Sequence, residues 1–373
     1  MVQSWPAPAC WRSLSSCSSA CSSATSHRPT SAPASRVDPP QGDRPVTTVS
    51  IFEHATFPLG PFEPYEHNPI LRPVGDTWES ANLYNPAALV VDDKVVLLYR
   101  AHAADIVSHI GIATSDDGFH FEREAAPILS PEHDYERFGC EDPRVVFIDG
   151  TYYLTYTGWD RHQARLCLAT STNLRSWTKH GPLFEDFDTF ATVAPWGHGW
   201  SKAGVIVPFM MQGTWWMYFG EGAIYWATSD DLIHWTPGTR DTEPMYTPTP
   251  WSFDRDLVEI GTSPVLTDGG LLVMLTNGAI RRWRGDRMDV DYRCGQIAID
   301  PSNPRKVMAR TQEPWLEPQS FEEKHGLVSN VTFVEGLVFF KGRWLAYYGQ
   351  SDTTLAVAIH DPAQPWSTVG SGG

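Results

Sequence analysis

The sequence predicts an all-β fold, a five-bladed β-propeller, from three observations. A short motif recurs along the body, apolar strands precede each copy, and 29 Gly and 30 Pro supply the turns that many short strands need. Three copies align without gaps. Ala113-Thr114-Ser115 leads to Phe121, Ala169-Thr170-Ser171 to Trp177, and Ala227-Thr228-Ser229 to Trp235, the aromatic always eight positions after the Ala. Weaker copies at Gln296–Ile299 and Ala356–Ile359 bring the count to five, at steps of 56, 58, 71 and 60 residues from Ala113. An all-β sandwich would not produce five similar units.

The blades follow in order. Blade one pairs Ala87–Val91 with Val95–Tyr99 ahead of its motif. Blade two pairs Arg144–Ile148 with Tyr152–Tyr156 around the turn signal Asp149-Gly150. In blade three Gly204–Phe209 and Trp215–Phe219 flank Gln212-Gly213, and in blade four Ser263–Leu266 and Leu271–Leu275 flank Asp268-Gly269. Blade five sets Val331–Val334 against Trp344–Tyr348 around Lys341-Gly342. The longest step is assigned to an inserted loop, Arg281–Arg293. Its basic cluster of Arg281, Arg282, Arg284 and Arg287 reads as a solvated loop or a rim of the mouth. One propeller accounts for residues 51–373 and leaves no second domain. Residues 1–50, rich in Ser, Pro and Cys, read as a disordered tail, with an artefactual start or a transit-like leader as its two sources.

Composition excludes several functions. The 373 residues carry 28 basic and 44 acidic side chains, a net charge of −16, which is a poor match to phosphate backbones and argues against nucleic-acid binding. No apolar run approaches the roughly 18 residues of a membrane helix. Cys140, Cys167 and Cys294 in the body form neither a zinc pattern nor a disulfide framework, and point to reduced core residues in a cytoplasmic protein. The 13 His show no metal spacing, and neither a nucleophile elbow nor a phosphate loop is present, so no metal or cofactor is expected.

In a propeller the inner strands start at one mouth of the central channel. There the copies read Asn85-Pro86, Glu141-Asp142-Pro143-Arg144, Ser201-Lys202, Glu259 and Asn330. The second strands return to that face with Arg100, Thr157–Asp160, Gly220-Glu221, Thr276-Asn277 and Ser351-Asp352. Different chemistry at equivalent positions suggests a site, since a purely structural role would tend to repeat one residue. Asp142 is the sharpest candidate, with a strand-capping Asp as its alternative. Glu259 is an acid within the apolar stretch Leu257–Gly261, costly if buried without a partner. Glu322 and Glu323 read equally as site residues or as a solvated charge run.

Asn85-Pro86-Ala87, Leu98–Ala101, Gly139–Arg144, Tyr152–Thr157 and Tyr347-Tyr348-Gly349 running on to Asp352 resemble the motifs of glycoside hydrolase family 130 over about residues 60–360. The resemblance implies a five-bladed propeller acting on β-mannosides by phosphorolysis or by hydrolysis with inversion. It implies that Asp142 is the catalytic acid, its proton passing through a mannose hydroxyl. Phosphorylases of the family carry cationic residues where this chain has Gly220-Glu221 and Thr276–Gly278; Ser201–Gly204, Leu257–Glu259 and Phe321–Gly326 look like the hydrolytic branch. The resemblance therefore implies an exo-acting, inverting β-1,2-mannoside hydrolase. A β-mannoside phosphorylase making mannose 1-phosphate is the alternative, and a non-catalytic glycan-binding propeller a third reading. Glu259 is the expected base, with Glu323 as partner or substitute. Asp352 and Arg100 are expected to bind the terminal mannose, with Asn85, Arg144, Lys202 and Asn277 as neighbours. The acid is expected to have a raised pKa through burial.

Overall fold

The computed structural model describes residues 55–184, 200–238, 244–284 and 287–363. The tail expected over residues 1–50 lies outside them. Five antiparallel sheets follow one another along the chain and form the five-bladed propeller that the repeat predicts. Blade one comprises Asn82–Val91, Lys94–His102, His109–Ser115 and Glu122–Arg123. Blade two comprises Gly139–Ile148, Thr151–Trp159, Ala164–Ser171 and Thr178–Pro182. Blade three runs through Val205–Ile206, Trp215–Phe219, Tyr225–Ser229 and Thr236–Pro237. Blade four has Leu257–Ile260 and Val265–Leu266 against Leu272–Arg284, then Arg287–Ile299 and Val307–Arg310.

Blade five takes Thr332–Phe340, Arg343–Gln350 and Thr354–His360, and borrows its outermost strand, Glu63–Pro64, from ahead of blade one. That closure was not legible in the sequence. Two residues have no alternation to read, and Pro64 is tolerated because it sits on an edge.

The recurring motif is a strand ending in a hydrogen-bonded turn. Ser115 Oγ accepts from the Gly118 N–H at 2.8 Å, Ser171 Oγ from Leu174 at 2.9 Å, and Ser229 Oγ from Leu232 at 2.8 Å. Asp117, Asn173 and Asp231 then cap the amides of residues 120, 176 and 234. This geometry returns Phe121, Trp177 and Trp235, the next residue in each case, to the core. Between the blades lie apolar clusters with fully buried Tyr99, Tyr156, Trp216, Tyr347 and Trp344.

The insertion expected as a loop at Arg281–Arg293 is a hairpin. Its strands stay paired from Leu272 opposite Ile299 out to Arg284 opposite Arg287. Val290 and Tyr292 favour strand, and Arg282 pairs with Asp291 across it at 3.2 Å.

Three inner strands bulge where they reach the mouth: between Tyr84 and Ala87, Glu141 and Arg144, and Val334 and Gly336. Asn85 and Asp142 sit in the first two at φ of 53° and 51°. Asn and Asp tolerate this left-handed region best among residues with a Cβ, and each is followed by a Pro that ends local pairing. The bulges aim side chains into the channel.

Candidate active site

Asp142 stands at the centre of the mouth, 3% exposed. Its Oδ1 accepts from Asn85 Nδ2 at 2.6 Å and Arg100 Nη1 at 2.9 Å, while Lys202 Nζ lies 3.4 Å from Oδ2. Arg100 also reaches Glu141 at 2.6 Å and Ser108 at 2.9 Å, with its guanidinium 4.5 Å above the Tyr84 ring. Arg144 runs the other way. Its Nη1 donates to the Asp142 carbonyl, Nε to Gly261 O, and Nη2 to Ile260 O. The same Nη2 lies 3.3 Å from Glu259 and 2.9 Å from Glu335. Lys202 is 3.7 Å from Glu221, and a backbone bridge sets Glu221 beside Glu259.

The charges decide the protonation pattern. Burial pushes the Asp142 carboxyl up, but Lys202, Arg100 and Arg144 outweigh it and hold it well below the usual carboxylate range. The expectation of a raised pKa for Asp142 is therefore corrected: burial came with three cations. Burial, reinforced by Glu221 and Asp142, raises Glu259 to about 7 against the pull of Lys202 and Arg144. Asp352, left-handed at φ 52°, is raised by burial to about 6, with Arg100 opposing and Asp142 adding to the rise. Glu141 is raised by burial too, against Arg100. Burial lowers the Lys202 ammonium, but Glu221, Asp142, Glu259 and Glu141 outweigh burial and raise it well above the ordinary lysine value.

The structure thus brings Asn85, Arg100, Asp142, Arg144, Lys202, Glu259 and Asp352 into one electrostatic cluster. Glu141, Glu221, Glu335 and Tyr84 join it without having been assigned roles from the sequence. For Glu141 and Tyr84 the signal was adjacency to Asp142 and Asn85. Glu335 had none, because Val334-Glu335-Gly336 reads as plain strand.

Two expected residues do other work. Asn277 is fully buried; its Nδ2 donates to Val334 O at 2.9 Å and its Oδ1 accepts from Val334 N at 2.8 Å. Both halves of the amide clasp blade four to blade five, a structural role in place of the expected sugar contact. Asn277→Ala should cost roughly 2 kcal/mol in urea unfolding, the penalty of stranding buried backbone groups, with little change in KM.

Glu323 closes a capping box on the short helix Phe321–Lys324. Its Oε2 accepts from the Gln319 and Ser320 amides at 2.8 and 2.9 Å, and its Oε1 from Tyr348 at 2.8 Å and Gln350 at 3.4 Å. With both oxygens occupied, Glu323 is a structural acid rather than the expected partner of Glu259. The signal was present in Ser320-x-x-Glu323.

The glycoside hydrolase family 130 model, described as β-1,4-mannooligosaccharide phosphorylase, matches residues 63–363. The chain belongs to glycoside hydrolase family 130. Within that family it is 36% identical to a 1,2-β-oligomannan phosphorylase of Thermoanaerobacter sp. (strain X514), over 78% of this chain and 94% of the relative. A β-1,2-mannobiose phosphorylase from the same organism is 30% identical, over 79% and 95%. Among solved structures, a glycosyl hydrolase from Bacteroides ovatus superposes with a TM-score of 0.73 at 35% identity, covering 82% of this chain and 94% of that one. A family 130 structure reported under glycoside hydrolases that target β-1,2 mannosidic linkages in Candida mannan gives the same values.

Proposed function

We propose that the protein is an exo-acting, inverting hydrolase that releases mannose from β-1,2-linked mannosides. The observation carrying this reading is that every cation in the cluster already has a carboxylate partner. Arg100 is paired with Glu141 and Asp142, Arg144 with Glu259 and Glu335, and Lys202 with Asp142 and Glu221. A phosphate dianion entering here would meet the ionised Asp142 between Arg100 and Lys202, whereas a neutral water would find an acceptor. Glu221 Oε2 is buried without a hydrogen-bond partner among the described residues and stands beside Glu259, which suits it to orient that water.

In this reading water attacks the anomeric carbon and gives its proton to Glu259 as the glycosidic bond breaks. The leaving oxygen takes a proton from a mannose hydroxyl, and Asp142 replaces it. Asn85 Oδ1, buried and unpartnered among the described residues, and Asp352 are the acceptors offered to the sugar. The reduced state of Cys140, Cys167 and Cys294, all free and buried, supports our proposal of a cytoplasmic location.

A second reading, phosphorolysis to mannose 1-phosphate, is favoured by the names of the curated relatives, which are phosphorylases. Incubation with β-1,2-mannobiose, with and without inorganic phosphate, separates the two. Free mannose at a phosphate-independent rate is the expected result. Mannose 1-phosphate formed only with phosphate would replace the first reading with the second.

A further inference from the structure

Glu335 is a buried carboxylate of the cluster to which the chemistry above gives no step. It is the extra residue of the blade-five bulge, between Val334 and Gly336. Both neighbours are pinned. Val334 is held by the two Asn277 bonds, and a Cβ on Gly336 would stand 2.7 Å from Pro86 O, so only glycine lets blade five approach blade one this closely. A bulge fixed on both sides places Glu335 against the same Arg144 nitrogen, Nη2, that Glu259 approaches.

The contact is close packing rather than a directional hydrogen bond. Glu335 Oε1 lies 2.9 Å from Arg144 Nη2, yet neither of its oxygens accepts a hydrogen bond among the described residues. The N–H groups of Arg144 point instead to Asp142 O, Ile260 O, Gly261 O and Glu259 Oε1. Arg144 therefore links the acid-bearing strand of blade two to the base-bearing strand of blade four, and Glu335 packs against its Nη2. Removing that wall would leave the guanidinium free to turn into the channel, away from Glu259.

The geometry points to Glu335 as a positioning residue: it holds Arg144 between the Asp142 and Glu259 strands, so that the guanidinium charge is delivered to Glu259. This rests on the proposed role of Glu259. The groups facing Glu335 are Arg144 and Asp142 from blade two, Glu259 from blade four, and Lys202. Burial, with Asp142 and Glu259 adding to it, raises the Glu335 carboxyl well above the ordinary glutamate value despite Arg144. A protonated Glu335 walls in the guanidinium without competing for its charge.

The test compares Glu335→Ala and Glu335→Gln. Ala should lower kcat by about tenfold or more with KM within about threefold, and should move the alkaline limb of kcat/KM upward, because Glu259 loses the cation that lowers its proton affinity. Gln, a neutral carboxyl-sized group, should recover most of that loss. A limb unmoved in Ala, or Gln no better than Ala, would reduce Glu335 to a space-filling residue.

Thermal midpoints against pH give a readout that does not depend on activity. Between the unfolded glutamate value, about 4.3, and its raised folded value, Glu335 binds more proton in the native state than in the unfolded one. Its contribution to stability therefore falls as pH rises through that window. Wild type should lose more of its midpoint from about pH 5 to 8 than Glu335→Gln, and equal slopes would contradict a protonated Glu335. If mannose release proves phosphate-dependent, the function reading fails while the stability comparison still tests Glu335.

Discussion

Asp142→Asn is expected to slow turnover of β-1,2-mannobiose by roughly 10³-fold, within the range ascribed to a general acid. A nitrophenyl β-mannoside, whose leaving group departs with little need of a proton, should lose about tenfold or less. The contrast matters because Asp142 is also a structural anion. Arg100 and Lys202 converge on it, and Asn85 donates to it at 2.6 Å. Breaking a buried ion cluster can destabilise the fold by about 3–5 kcal/mol. A loss from misfolding would strike both substrates equally, whereas loss of proton delivery would spare the activated one. Equal losses, with unfolding shown by circular dichroism, would assign Asp142 to structure. Undiminished turnover of mannobiose would remove it from the mechanism.

The blades and much of the site were legible in the sequence because each leaves a local trace. The Ala-Thr-Ser motif shows through because Ser115, Ser171 and Ser229 close the same turn with the same bonds. Asp142 shows through because a Pro follows it and an inner strand continues beyond. Protonation did not show through. Burial of Asp142 could be guessed, but Lys202 is 60 positions away in the chain and its charge reverses the outcome. Asn277 and Glu323 misled for the same reason: whether an amide or carboxylate faces a ligand or its own backbone depends on the neighbouring blade. Glu335 was silent because a bulge, invisible in the sequence, turns an ordinary strand residue into the channel.

Asp142 and Glu259 must be considered together, and this shapes the second large effect. The proposed chemistry needs a proton on Asp142 and none on Glu259. The free enzyme below about pH 7 holds the reverse, with Asp142 ionised and Glu259 protonated. Both forms carry one proton in total, so the reactive form is a constant minor fraction of the singly protonated pair until that proton leaves. The sign follows directly. Wild-type kcat/KM should fall as pH rises through about 7, where the pair loses its shared proton, rather than as pH falls through that value.

Glu259→Gln should lower kcat by roughly 10²–10³-fold and shift the residual alkaline limb to lower pH, because only the weakly basic Asp142 then remains to hold the proton. Added azide, a nucleophile that needs no base, should restore turnover in Glu259→Gln and give the α-mannosyl azide from a β-mannoside, since attack still comes from the opposite face. If azide instead rescues Glu221→Gln and leaves Glu259→Gln inactive, the proton acceptor is Glu221, and the bridge between the two places the base one residue across. If neither variant is slowed, no carboxylate on that side activates water, and the paired cations would have to be opened to admit phosphate.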